Sequence, residues 1–193
     1  MGMEVLEDVT YSGSDTDMSA QLTNIRNNDE VEVVLNCGFG QGPAIVTRNY
    51  DQLGMERPLY QSHGVASDGF LRLAGNAAEG LRLPGSPLLV PGSIPDDDPQ
   101  KNVVQNYKAE YEDKWGQSVS TFGGYAYDGL MLAVNAIEAA GSTDKAAIRD
   151  ALEGIQGYVG VTGEFNMSPD DHNGLDPESF RILEVVNGDW ALI

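Results

Sequence analysis

Hydrophobic and polar positions in the first part of the chain follow two spacings, one typical of strands and one typical of helices. Val31–Leu35 is an apolar and β-branched run interrupted only by Glu32, as in a buried strand. Gly38–Gly42 then forms a glycine-rich turn, Ala44–Leu53 has apolar residues at helical spacing, and Pro58–Tyr60 begins a second short strand. This order predicts a right-handed βαβ unit, in which a helix joins two parallel strands.

The alternation of strands and helices continues on both sides of this unit. We predict a strand at Val5–Tyr11, followed by a helix over residues 18–25 with apolar residues on one face. Another helix is predicted to begin at Ser67 or Asp68, and Gly80–Val90 is predicted to be extended. The order βαβαβαβ is typical of a parallel α/β layer, so the first 90 residues predict an α/β fold class.

A change in composition divides the chain at Pro91–Pro99, which is rich in proline and aspartate and is predicted to have no regular structure. Three helices are predicted after it, the last capped by Thr143. Strands are then predicted at Val159–Phe165 and Phe180–Val186, and Asn187-Gly188 predicts a hairpin turn. The apolar stripes that predict the three helices are Val103, Tyr107, Tyr111 and Trp115; Tyr127, Leu130, Met131, Val134 and Ile137; and Ile148, Ala151 and Leu152.

Composition and charge exclude several classes of partner. The chain has 193 residues, of which 41% are hydrophobic, enough to form one large domain or two small ones. Thirty acidic residues against eleven basic ones give a net charge of -19, which disfavours nucleic acid and anionic membranes. The single cysteine, Cys37, excludes an internal disulfide and a cysteine-rich metal site, and we expect it to be a small buried hydrophobe.

Two oxygen-rich segments are candidates for calcium, and one apolar segment is a candidate for a membrane span. Asp96–Asp98 and Asp170–Asn173 are interpreted as solvated turns, and the second segment lacks the acidic residue that a calcium loop has at its twelfth position. Leu130–Ala140 is too short and too polar to span a bilayer. We therefore expect no metal, no cofactor and no transmembrane helix, and we find no signal peptide at Met1–Met3.

Five short segments along the chain form a recognisable series by their order and spacing. They are Ala77–Gly80, Tyr125–Asp128, Ala139–Ser142, Ile148–Leu152 and Val186–Trp190. With them, nearly the whole chain resembles the type I periplasmic solute-binding proteins of ABC importers, of the branched-chain amino-acid kind. The resemblance implies a ligand-binding transport protein, not an enzyme, in the periplasm or outside the cell.

The family fold has two α/β lobes, each a parallel sheet with flanking helices, joined by a hinge that closes like a Venus flytrap. The resemblance implies that residues 3–90 form the α/β layer of the second lobe and that residues 91–98 are the hinge. Residues 99–179 then correspond to the helical C-terminal part of the first lobe, and residues 180–193 return to the second lobe. Because the N-terminal part of the fold is missing, we expect the missing half or a homodimer partner to cover exposed surfaces.

Candidate ligand-binding residues follow the two strands of the βαβ unit, because ligands of open α/β sheets lie at the carboxyl ends of strands. The resemblance places His63 where amino-acid binders have an acidic residue, which favours a carboxylate ligand that is not an amino acid. It places Phe39 and Phe122 at positions where aromatic rings contact the ligand, although core packing is the alternative for both. Gly40 and Gln41 are the remaining candidates, through close backbone approach and a polar contact.

The resemblance implies the solute-binding subunit of an ABC importer, which holds its ligand in an interlobe cleft and docks on membrane permease subunits. The expected ligand is a small carboxylate, an aromatic acid or a branched-chain amino acid. A ligand-sensing domain of a receptor or regulator would have the same fold. A hydrolase using Cys37 and His63 is a further alternative, although their spacing matches no hydrolase motif that we can identify.

Overall fold

The computed structural model describes residues 2–193. They form two compact units, of which the first comprises residues up to Pro84 together with Ile182–Ile193, and the second comprises Gly85–Arg181. The predicted α/β character applies to the first unit, whereas the second unit consists mainly of helices.

A five-stranded mixed sheet organises the first unit. Its strands are β1 (Val34–Asn36), β2 (Leu59–Gln61), β3 (Arg82–Gly85), β6 (Arg181–Val186) and β7 (Asp189–Leu192), in the spatial order β1-β2-β3-β6-β7. The pairs β1–β2 and β2–β3 are parallel, whereas β6 and β7 are antiparallel. The βαβ prediction is confirmed, since Val34 pairs with Leu59 and Asn36 pairs with Gln61 across two parallel strands.

Three α-helices belong to the first unit: α1 (Ser19–Arg26), α2 (Gly42–Gln52) and α3 (Asp68–Ala74). Alternate strand residues are buried, so that one face of the sheet carries the core. The opposite face carries an ion pair between Arg82 Nε and Glu184 Oε2 at 2.7 Å. The buried apolar residues of this core include Leu22, Ile25, Val34, Val46, Tyr50, Leu59, Phe70, Leu83, Leu183 and Val185.

The predicted hairpin at Asn187-Gly188 is confirmed. It connects β6 to β7, and both residues have positive φ angles, 55° and 77°, as a type I′ turn requires. The carboxylate of Glu79 accepts hydrogen bonds from the backbone N–H of Asn187 at 2.7 Å and of Gly188 at 3.1 Å. A side chain more than 100 residues earlier in the chain therefore fixes this turn.

Two predicted extended segments differ in the structure. Val5–Tyr11 is not a strand: no other strand among residues 2–193 pairs with it, and Val5 is 81% exposed. Alternating apolar residues form a strand only where a neighbouring strand provides hydrogen bonds. Of the predicted extended segment Gly80–Val90, only β3 is a strand. Short 3-10 helices follow it at Pro87–Leu89 and Pro91–Ser93. Each begins with a proline, which has no N–H to donate to a neighbouring strand.

The second unit contains the helices α4 (Gln100–Trp115), α5 (Thr121–Ala140) and α6 (Lys145–Glu153), with a short antiparallel pair of strands, β4 (Tyr158–Val159) and β5 (Glu164–Phe165). Ser120 caps α5, since its Oγ accepts from the N–H of Gly123 at 3.2 Å. Asp144, not Thr143 as predicted, caps α6. Leu88, Ile94, Val104 and Val119 form a buried cluster against which Tyr107 and Tyr111 pack.

The predicted apolar stripe of α5 is not the face that the helix buries. Leu130 is 63% exposed and Tyr127 is 40% exposed, whereas the buried side chains are those of Asp128 and Leu132 together with others at four-residue spacing. Trp115, the last residue of the apolar stripe predicted for α4, is also exposed at 60%. An apolar pattern could not predict the buried face of α5, because a carboxylate lies at its centre.

Asp128 is the polar anchor of the second unit and is only 1% exposed. Its carboxylate accepts hydrogen bonds from the N–H of Val161 at 2.9 Å, from the N–H of Thr162 at 2.8 Å and from Thr162 Oγ1 at 2.5 Å. These bonds hold the turn between β4 and β5 against α5, so the partners of Asp128 lie 33 and 34 positions later in the chain. A Cβ at Gly160 would lie 2.7 Å from the carboxylate, which explains the glycine.

We predict that Asp128→Ala destabilises the second unit by about 3 kcal/mol, because it leaves buried N–H groups without acceptors. Urea unfolding measures the loss, and Asp170→Ala, at an exposed position, is the matched control. An unchanged free energy of unfolding would show that the turn does not need the carboxylate.

The same carboxyl group predicts a dependence on pH. Burial raises the pKa of Asp128 above its ordinary 3.8, and this outweighs the lowering effect of its hydrogen bonds. The stability of the wild type relative to Asp128→Asn should therefore be greatest below pH 3.8 and fall as the pH rises through the raised pKa. A difference that increases with pH would contradict this assignment.

Candidate functional site

Two loops meet at the carboxyl edge of the sheet in the first unit. The first edge loop (Cys37–Gln41) follows β1 and leads into α2, and the second edge loop (Ser62–Val65) follows β2. The loops are neighbours because β1 and β2 are parallel and paired in register. This is the position at which open α/β sheets bind ligands.

Hydrogen bonds fasten the second edge loop to the first. Ser62 Oγ donates to the carbonyl of Gly38 at 3.2 Å and accepts from its N–H at 3.4 Å. The N–H of Ser62 donates to the carbonyl of Asn36 at 3.0 Å. A Cβ at Gly64 would lie 3.1 Å from the carbonyl oxygen of Gly38, so a larger residue would push the two loops apart.

Buried amides fix the strands beneath these loops. The Nδ2 of Asn36 donates to Oε1 of Gln61 at 2.7 Å. The Nε2 of Gln61 donates to Oγ1 of Thr47 at 3.1 Å and to the carbonyl of Pro43 at 3.3 Å, and both acceptors lie in α2. Gln61 is fully buried, so its amide connects both strands to α2 within the protein.

The candidate residues of the first unit form the exposed rim of the two loops. Phe39 is 84% exposed, and Gln41 and His63 are also exposed. Gly40 has a φ of +74°, and a Cβ there would lie more than 4 Å from every described residue except its two chain neighbours. The structure thus brings Phe39, Gly40, Gln41 and His63 to one edge of the sheet, as predicted from the strand order.

Cys37 does not have the buried role that we predicted. It is exposed, because it follows β1 with the parity of Leu35, which is exposed, rather than that of Asn36, which is buried. The prediction took the cysteine as a hydrophobe without assigning it to a face of the strand.

One residue of this edge was not found from the sequence. Tyr11 lies against the backbone of Gly38 and Gly42, where the sequence suggested either close approach of a ligand or a plain turn. No spacing rule joins Tyr11 to a loop almost thirty residues later, so only the fold reveals the contact.

The remaining candidate, Phe122, belongs to the second unit. It is the second residue of α5, two positions after the capping residue Ser120, and it is 52% exposed. Its ring is therefore not fully used in core packing.

Residues 2–193 contain neither a metal-binding cluster of side chains nor a helix able to span a membrane. Within residues 2–193 no group of three or more histidine, cysteine, aspartate and glutamate side chains could hold a metal ion. The backbone N–H groups of Asn173 and Gly174 donate to Asp171, and these bonds lower the pKa of its carboxyl group. None of the helices in the described part of the chain combines the length and apolar character needed to cross a bilayer.

Several solved structures resemble this chain. An extracellular ligand-binding receptor from Rhodopseudomonas palustris HaA2 is 28% identical with a TM-score of 0.90, covering 100% of this chain and 55% of its own. The leucine-binding protein LivK from Thermotoga maritima is 22% identical with a TM-score of 0.81, covering 96% of this chain and 50% of its own.

A third solved structure is that of the substrate-binding protein LivJ of a branched-chain amino acid transporter from Streptococcus pneumoniae, in complex with isoleucine. It is 21% identical with a TM-score of 0.76, covering 93% of this chain and 48% of its own. The last two structures, at such low identity, show the fold alone. The present chain spans about half the length of each of these proteins.

The family comparison covers nearly the whole chain. No match was found among curated proteins. The family model described as "Periplasmic binding protein" matches residues 1–189. The resemblance inferred from the sequence and the type I fold class are therefore confirmed, and the chain belongs to the periplasmic binding protein family.

Proposed function

We propose that this chain is part of an extracytoplasmic solute-binding subunit of an ABC importer and that it binds a small carboxylate or an aromatic acid. The observation that carries the proposal is the exposed rim of Phe39, Gln41 and His63 on two loops that hydrogen bonds hold together. An exposed ring on a fixed backbone is ready to bind an apolar ligand with little loss of conformational entropy.

The chemistry of the rim supports this ligand class. Covering the ring of Phe39 would contribute about 2 kcal/mol from the apolar area removed from water. His63 and Gln41 carry N–H groups that donate to carboxylate oxygens. An acidic side chain at the position of His63 would suit an ammonium group, so histidine favours a carboxylate over an amino acid. A branched-chain amino acid is the second candidate, since LivJ was solved with isoleucine.

The remaining assignments extend the proposal to the other unit. We infer that Phe122 supplies a second aromatic contact to the ligand, and its 52% exposure supports this role. Residues 3–90 and 180–193 are assigned to the second lobe, residues 91–98 to the crossover and residues 99–179 to the first lobe. The ligand-loaded protein would dock on permease subunits, since LivJ is named as the binding component of a transporter.

The proposed role is not enzymatic. The similar structures are described as receptors and binding proteins, which supports a protein that releases its ligand unchanged. Cys37 and His63 lie in neighbouring edge loops, so the hydrolase alternative also has a specific test. A panel of esters and amides should show no turnover with the full-length protein.

The main prediction concerns His63. In a thermal-shift screen of the full-length protein, we expect an aromatic or aliphatic carboxylate to raise the Tm more than leucine or valine does. His63→Ala should weaken binding of that carboxylate about tenfold, which is the loss expected for one hydrogen bond to a charged group. Isothermal titration calorimetry measures the affinity. His172→Ala is the control, because it removes the other histidine, which pairs with Glu153 in the second unit.

Three results would contradict parts of this proposal. Stabilisation by leucine or valine alone would exclude the preference for a carboxylate. An unchanged affinity in His63→Ala would remove His63 from the site. Turnover of an ester or amide that His63→Ala abolishes would favour the hydrolase alternative.

Exposed apolar side chains support a further partner. Val33, just before the edge strand β1, is 45% exposed, and Leu35, within that strand, is 64% exposed. On α5, Leu130 is 63% exposed and Ile137 is 40% exposed. We infer that other polypeptide covers these positions, either another part of the same protein or a second copy of this chain.

This inference predicts self-association of the 193-residue chain. Analytical ultracentrifugation should show an average molecular mass that increases with protein concentration. The double variant Leu35→Lys/Leu130→Lys should have an average mass closer to that of the monomer. Gln117→Lys adds the same charge at an exposed polar position and is the control. A monomer at all concentrations would contradict the inference that these side chains need a partner.

A further inference from the structure

Tyr11 occupies the space that the glycines of the first edge loop leave open. A Cβ on Gly38 would lie 2.3 Å from Oη of Tyr11, and a Cβ on Gly42 would lie 2.7 Å from its Cε2. Both distances are shorter than real Cβ contacts, so the ring fits only against glycine at these two positions. Gly38 and Gly42 flank the exposed residues of the rim, Phe39, Gly40 and Gln41.

The hydroxyl oxygen of Tyr11 is the atom nearest to Gly38, and a ring carbon is the atom nearest to Gly42. Oη of Tyr11 is buried and forms no hydrogen bond with any group of residues 2–193. A buried hydroxyl without a partner costs about 1–3 kcal/mol, so a tyrosine here is retained against that cost. Packing therefore holds the ring in place.

The first edge loop is thus held from two directions. Ser62 fastens Gly38 from the second edge loop through its hydroxyl group, and Tyr11 packs against Gly38 and Gly42. Phe39 is 84% exposed, so the position of its ring depends on the backbone of this loop. A loop fixed before binding loses less conformational entropy when the ligand arrives.

We propose that Tyr11 is a positioning residue for solute binding, which fixes the backbone of residues 38–42 and so directs Phe39 and Gln41 toward the ligand. This inference rests on the proposed function, because it assumes that the rim of the first edge loop contacts the solute. Tyr11 itself makes no contact with the ligand and acts only through the loop.

A double-mutant cycle in the full-length protein tests this role. Tyr11→Ala and Gly38→Ala should each weaken binding of the carboxylate found in the screen by about tenfold, through lost preorganisation of the loop. In the double variant, Gly38→Ala should add little, because the tyrosine hydroxyl oxygen that its methyl group would meet is gone. Tyr11→Phe should bind as tightly as the wild type and be no less stable, since the missing hydroxyl has no partner.

A second measurement does not depend on the ligand. Hydrogen–deuterium exchange of the peptide that contains residues 38–45 should be faster in Tyr11→Ala than in the wild type, and unchanged in Tyr11→Phe. Gly129→Ala is the control for the glycine substitution, because a Cβ there meets no atom within 4 Å in the described chain. If the wild type binds no solute, the proposed function fails, and the exchange rates still decide whether Tyr11 positions the loop.

Two outcomes would overturn the inference. One is strict additivity of Tyr11→Ala and Gly38→Ala, with unchanged exchange in the loop. The other is a loss of affinity in Tyr11→Phe equal to that in Tyr11→Ala, with wild-type exchange, since the hydroxyl group would then contact the solute.

Discussion

The parallel pairing of β1 with β2 is the constraint on which the candidate site depends. It brings the ends of two strands, separated by a helix in the chain, to the same edge of the sheet. The buried bond between Asn36 and Gln61 fixes that pairing, and Gln61 also bonds to Thr47 and to the carbonyl of Pro43 in α2. If these buried amides lost their hydrogen-bond partners, the strands that position both edge loops would no longer be fixed relative to each other.

The second unit uses a different solution to hold irregular backbone. Its two short strands offer few ladder hydrogen bonds, and the carboxylate of Asp128 supplies acceptors to the turn between them. The cost of burying this group is visible in its raised pKa. In both units, therefore, a buried polar side chain fixes the position of the loop backbone, while apolar residues fill the rest of the core.

Local patterns in the sequence correctly predicted the helices, strands and turns that neighbouring residues in the chain are sufficient to determine. The apolar run before Asn36, the helical spacing after Gly42 and the Asn187-Gly188 turn all correspond to observed elements. Features that depend on distant partners were missed. Val5–Tyr11 has strand-like residues but no neighbouring strand in the described chain, and Asp128 is buried because residues 33 and 34 positions later bond to it.

The same distinction applies to the candidate site. The strand order placed Phe39 and His63 at one edge from the sequence alone, because parallel strands align their carboxyl ends. The contact of Tyr11 with Gly38 and Gly42 required the fold, since a glycine-rich turn is equally consistent with a ligand, a ring or a simple change of direction. A glycine pattern indicates that there is room beside the backbone, whereas the fold shows that the side chain of Tyr11 occupies it.

A chain with a net charge of -19 can nevertheless accommodate an anionic ligand if its acidic residues lie elsewhere. The segments that build the edge, residues 33–47 and 57–67, contain no aspartate or glutamate, although the chain has thirty acidic residues. Exposed charges farther than about 8–10 Å are largely screened at physiological salt. The two edge loops themselves therefore offer a carboxylate His63, Gln41 and backbone amides and no acidic side chain, so the net charge of the chain is compatible with the proposed ligand class.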